Sequence, residues 1–138
     1  LHSGGHSKDG MDIGLICLEG NQLKFAGTHI SCYIAKGEGV EELKGQRGFI
    51  GHADTIELET QTASINTKDM VYLFTDGFPD QKGGERGKKY YYQPLVDLLQ
   101  EIASEKVDTQ HEILKENYLT WKGNLQQLDD VLVAGIRV

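Results

Sequence analysis

Met70-Val71-Tyr72-Leu73-Phe74-Thr75-Asp76-Gly77 is the stretch on which the reading of this chain turns. Five apolar residues, β-branched and aromatic among them, specify a buried strand. Asp76 stands where that strand emerges, and Gly77 lets the backbone turn sharply beside it. Asp-Gly is also the commonest short turn dipeptide, so the pair alone reads as a strand-terminating turn too. The run Val131–Val138 is a second apolar strand, and Asp129-Asp130 stand immediately before it. Adjacent acids repel, and a carboxylate withdrawn from water is costly. If the two strands pair antiparallel, the end of one neighbours the start of the other and Asp129 comes close to Asp76. Converging carboxylates are tolerated when hard divalent cations neutralise them. The same acids read equally well as a loop cap facing water.

Outward from this pair the texture is β. Ile13–Leu18 is a nearly continuous apolar run, the pattern of a strand covered on both faces. Glu19-Gly20-Asn21 is a turn and Gln22–Ala26 alternates polar with apolar, which makes a hairpin. Ile30–Ala35 and Val40–Leu43 supply two further strands across a Lys36–Gly39 turn. A glycine-rich connection follows, and Thr55–Leu58 reads as a short strand. Lys82–Lys89 is Gly-rich and polar, as suits a mobile flap beside Asp76. Pro94 opens a helix with Leu95, Leu98, Leu99, Ile102 and Ala103 on one face. Thr109 and Glu112 match a capping box for a second helix, striped by Ile113, Leu114, Tyr118 and a core Trp121. Meandering strands, two helices and a closing strand predict an α+β fold with antiparallel sheet.

At 138 residues the chain fits one domain with a single core. Fourteen basic against 21 acidic residues give a net charge of −7 without a Lys/Arg stripe. That balance argues against nucleic acid or an anionic membrane as partner. No apolar run is long enough to span a bilayer and no signal-peptide pattern is present, so a cytoplasmic location is expected. Cys17 and Cys32 lie inside apolar runs and read as reduced core thiols, with neither the number nor the spacing of a zinc site. Residues 1–8 read as a flexible linker or an expression remnant, and 9–138 as the domain.

Tyr72-Leu73-Phe74-Thr75-Asp76-Gly77-Phe78-Pro79-Asp80-Gln81 resembles the strand-plus-Asp-Gly motif of the SpoIIE-like branch of the metal-dependent (PPM, or type-2C) protein phosphatases. Gln127-Leu128-Asp129-Asp130-Val131-Leu132-Val133 resembles the closing motif of that family. Asp9–Ile13, Leu23–Gly27 and Gly83–Lys89 match further segments in order, so the resemblance spans nearly the whole chain. It implies an antiparallel β-sandwich flanked by helices, α-β-β-α in layers and incomplete at its N-terminus, as the C-terminal two-thirds of such a domain. It also implies a bacterial serine/threonine phosphatase that hydrolyses phosphoserine or phosphothreonine with water activated by two Mn2+ or Mg2+ ions. Asp76, Gly77 and Asp129 would be metal ligands, with Asp130 supporting and Asp9 or Asp12 reaching an accessory ion or serving the strand start. The substrate implied is a phosphorylated regulatory protein such as an anti-sigma-factor antagonist.

Two departures qualify the match. The family's first metal-binding Asp-Gly motif lies upstream of this sequence, so these residues alone are expected to bind metal weakly and turn over little. Gly27-Thr28-His29-Ile30-Ser31 replaces a segment in which relatives carry a small residue, Asn and Pro. His29 is there either a substrate contact near the phosphate or an ordinary strand histidine. Arg86, with Arg47, Lys88 and Lys89, offers positive charge to a phosphorylated substrate. Competing readings are a degenerate phosphatase fold that binds a partner or pairs with another copy of itself, and a phosphohydrolase for small molecules.

Overall fold

The computed structural model describes residues 10–48, 50 and 56–138. Its elements run β1 (Gly14–Glu19), β2 (Gln22–Gly27), β3 (Cys32–Lys36), β4 (Gly39–Leu43), β5 (Gln61–Ser64), β6 (Met70–Phe74), β7 (Lys82–Gly83), β8 (Lys88–Lys89), α1 (Tyr92–Ile102), α2 (Val107–Lys122) and β9 (Val133–Arg137). The pairings are antiparallel throughout the named strands and build sheets of order β1-β2-β5, β4-β3-β6-β9 and β7-β8. The α+β expectation therefore holds.

Alternation along the strands explains the layering. Leu23, Phe25 and Ala63 of the three-stranded sheet pack on Cys32, Ile34, Leu43 and Val71 of the four-stranded sheet. The opposite face of that second sheet presents Tyr33, Ala35, Met70, Tyr72 and Phe74 to Leu95, Leu99 and Tyr118 of the helices. β3 and β6 are thus covered on both sides, and their residues are apolar almost without break because neither face meets water. The described residues form three layers, sheet on sheet on helices. Where the helices meet the sheet, the buried Tyr72 hydroxyl donates to Gln110 Oε1 at 2.7 Å.

Several local expectations need correction. β1 is an edge strand with Leu15 and Cys17 exposed, so the apolar run that opens the domain is not covered on both faces and Cys17 is no core thiol. Cys32 is buried, and burial pushes its thiol pKa up to about 12. No strand forms at residues 56–58; the strand is β5, whose polar Gln-Thr-Ala-Ser is held by register with β2. Thr109 is inside α2, which starts at Val107 after Lys106 without a side-chain cap, so the capping box does not form. Pro94 is the third residue of α1 rather than the first. The segment from Lys82 to Lys89 folds as the β7–β8 hairpin. Gly83 and Gly84 seat it on Trp121, and a Cβ on Gly83 would lie 2.0 Å from the Trp121 carbonyl oxygen.

Candidate metal centre

β6 and β9 end the site's two arms together. Phe74 stands opposite Val133, and beyond that pair Thr75 continues the ladder. The Thr75 N–H donates to Leu132 O at 3.0 Å, the Leu132 N–H donates to Thr75 Oγ1 at 3.0 Å, and Thr75 Oγ1–H donates to Asp130 O at 2.9 Å. Thr75 thereby stitches the residue before Asp76 to the residue after Asp129. Gly77 closes the contact, since a Cβ there would sit 2.2 Å from Asp130 O and 2.9 Å from its carbonyl carbon. Only a residue without a side chain permits that approach.

The electrostatics follow from this convergence. The Asp76 carboxyl is raised above the usual carboxylate range, first by partial withdrawal from water and then by the charges of Asp80, Asp129 and Asp12. Asp80 sits one turn further on, its N–H donating to Asp76 O at 2.9 Å, and Lys89 Nζ bonds its carboxylate at 3.0 Å. Asp130 is exposed, and its N–H donates to Asp129 Oδ1 at 2.7 Å, which orients the Asp129 carboxylate.

A buried amide locks the two arms from behind. Gln81 is fully buried and receives the Tyr118 hydroxyl on Oε1 at 2.8 Å. Its Nε2 donates to Gln126 O at 3.0 Å and to Lys82 O at 2.9 Å, and the Trp121 indole N–H donates to its carbonyl at 2.9 Å. The loop carrying Asp76 and the segment leading to Asp129 are tied to α2 by one side chain.

On the other side of Asp76 a cleft of about 220 Å3 is lined by Asp12, His29, Ser31, Tyr33 and Tyr92, among others. His29 adopts a left-handed φ of 53° and sets Nδ1 2.8 Å from Asp12 Oδ1. The Gly48 N–H donates to Nε2 at 3.4 Å, so both ring nitrogens of His29 are engaged. Asp12 and His29 thus join Asp76 in one cleft. Arg86 lies in the exposed turn of the β7–β8 hairpin, and Asp9 lies outside the described residues.

The donors fit a hard divalent cation: they are carboxylate and backbone oxygens, mutually repelling and short of positive charge. Among the described residues no three His, Cys, Asp or Glu side chains close into a finished cage. Three contributors were not singled out from the sequence. Asp80 was signalled by its four-residue spacing from Asp76 in a single loop. Thr75 and Gln81 flank the Asp-Gly turn, but the partners they reach across the molecule are 37 or more residues away in sequence and leave no local mark.

A family model described as Stage II sporulation protein E (SpoIIE) matches residues 10–138. Among solved structures, the SiaA-PP2C domain of Pseudomonas aeruginosa superposes with a TM-score of 0.79 at 35% identity, covering 86% of this chain and 47% of that one. The phosphatase domain of SpoIIE from Bacillus subtilis, presoaked with Mn, gives 0.66 at 16% identity over 94% of this chain and 56% of that one. The catalytic domain of the serine/threonine phosphatase PstP, in complex with two manganese ions, gives 0.60 at 17% identity over 90% and 56%. The chain therefore spans about half the length of the structures it matches. No curated protein matches.

Proposed function

The chain belongs to the SpoIIE family, whose solved neighbours are type-2C phosphatase domains, and from that premise we propose that it forms part of a metal-dependent protein serine/threonine phosphatase. The antiparallel register of β6 with β9 is the observation that supports this reading, because it aligns the two acid-bearing turns. Asp76, the Gly77 carbonyl and Asp129 would hold Mn2+ or Mg2+, with Asp130 and Asp12 in supporting positions. When bound, a pair of such ions supplies a water acidified toward neutrality and positive charge against the phosphoryl oxygens.

The chain's own residues supply position. Thr75, Gly77 and Gln81 hold the two acidic turns at a fixed spacing. The Asp12–His29 pair forms the opposite wall of the cleft, where a phosphoryl group would lie. The sequence offers no serine elbow, phosphate loop or phosphatase-loop cysteine, which agrees with water as the nucleophile. The substrate class is a phosphoserine or phosphothreonine on a regulatory protein in bacterial signalling, an anti-sigma-factor antagonist being one such protein.

The competing reading is a non-catalytic module of the same fold. Phosphate release from a phosphoserine protein by the full-length protein in Mn2+ separates the two. A rate that requires Mn2+ and drops at least about 100-fold in Asp76→Asn and Asp129→Asn supports the enzyme. Wild-type rates in both variants overturn the ligand assignment, and no hydrolysis by the wild type supports the module.

A further inference from the structure

A second groove, of about 730 Å3, opens from the cleft that holds Asp76 and shares His29, Ser31, Tyr33 and Tyr92 with it. Its walls are the β3–β4 hairpin and α1. α1 runs along it from Tyr92 at the cleft to Gln100, whose Nε2 donates to Gly37 O in the hairpin turn at 3.2 Å. Eight residues of helix at about 1.5 Å each make about 12 Å, the span of three to four extended residues at about 3.3 Å.

Charge is graded along this length. Arg47 belongs to the segment bonded to His29 at the cleft end, where the His29 N–H donates to Gln46 O at 2.9 Å, and Lys44 lies just before it. Further out come three exposed carboxylates: Glu42 opposite Tyr33 on β4, Asp97 on the second turn of α1, and Glu38 in the hairpin turn. None of the three has a basic partner among the described residues; Glu42 accepts only the Tyr33 hydroxyl at 3.3 Å, and Asp97 the Gln93 amide at 2.8 Å. Gln100, whose Nε2 bonds the hairpin turn, has its Oε1 buried in this wall without a hydrogen-bond donor among the described residues.

We infer that this groove seats the polypeptide flanking the phosphorylated residue, and that Glu42, Asp97 and Glu38 select Lys or Arg two to four residues from it. The inference rests on the phosphatase reading and names its substrate class: a phosphoserine segment with a basic flank on one side. Cations near the phosphate and carboxylates beyond it match that segment end to end, and oppose one with an acidic flank.

The test compares phosphate release by the full-length protein in Mn2+ from three phosphoserine peptides, with arginine on the N-terminal flank, arginine on the C-terminal flank, or glutamate on both. The expected result is a kcat/KM about tenfold higher for one arginine peptide than for the glutamate peptide, about 1.4 kcal/mol. That preference shrinks to about twofold in the doubly neutralised Glu42→Gln, Asp97→Asn protein and with added salt. It inverts in Glu42→Lys, Asp97→Lys, a change that loss of structure cannot produce. Hydrolysis of p-nitrophenyl phosphate by the wild type with no flank preference, or a preference untouched by either double variant, overturns the groove and leaves the phosphatase reading standing. Failure to hydrolyse even p-nitrophenyl phosphate overturns both.

Discussion

Gly77→Ala probes the contact that brings the acidic turns together. An added Cβ would stand 2.2 Å from Asp130 O, whereas an ordinary carbon–oxygen contact lies at about 3.3 Å. The two backbones must part by about 1 Å. Neither neighbour is a flexible side chain, so the cost belongs at the upper end of overpacking, about 3 kcal/mol. Reduced freedom of the unfolded chain returns up to about 1 kcal/mol, leaving a net loss of about 2 kcal/mol. For a domain of this size each kcal/mol shifts Tm by about 4 °C, so thermal unfolding followed by circular dichroism drops by about 8 °C. Gly37→Ala is the control, because a Cβ there meets nothing within 4 Å. A Gly77→Ala protein melting within about 2 °C of Gly37→Ala would refute the close packing of the two turns.

Gln81→Leu strands the Tyr118 hydroxyl and the carbonyls of Gln126 and Lys82. Its unfolding free energy falls by about 3 kcal/mol, against about 1 kcal/mol for Tyr118→Phe, as urea denaturation will show. Asp76 binds its proton more tightly folded than unfolded, so its contribution is complete below the unfolded pKa of about 3.9 and is lost as pH rises through the folded value. Metal-free Asp76→Asn therefore melts above wild type at pH 7, and the gap closes near pH 3. Cys17 reacts promptly with Ellman's reagent at pH 8, while Cys32, buried with its pKa near 12, reacts only in denaturant; two fast thiols would contradict the layering.

How much of this was legible in the sequence follows from where each element draws its stability. β6 could be read because its side chains are apolar on both faces, and β9 because the chain closes on a largely apolar run; the acids flanking them marked where the two strand ends would meet. β5 could not, because Gln61–Ser64 carries one buried residue, Ala63, and becomes a strand only by bonding to β2. The apolar run of β1 misled, since hydrophobicity along an edge strand does not show which face a neighbour covers. Lys82–Lys89 has the composition of a loose loop, yet its glycines are what let the backbone lie against Trp121. The convergence of the turns carrying Asp76 and Asp129-Asp130 was readable from their place at strand ends. The share of Asp80, and the bonds of Thr75 and Gln81 across the molecule, required the fold.

A crystal of the full-length protein soaked in Mn2+ tests the central claim most directly, through anomalous scattering at the manganese edge. The expected result is a peak within about 2.5 Å of carboxylate oxygens of both Asp76 and Asp129, lost in Asp76→Asn. A peak bound by other residues, or none beside these two turns, would contradict it.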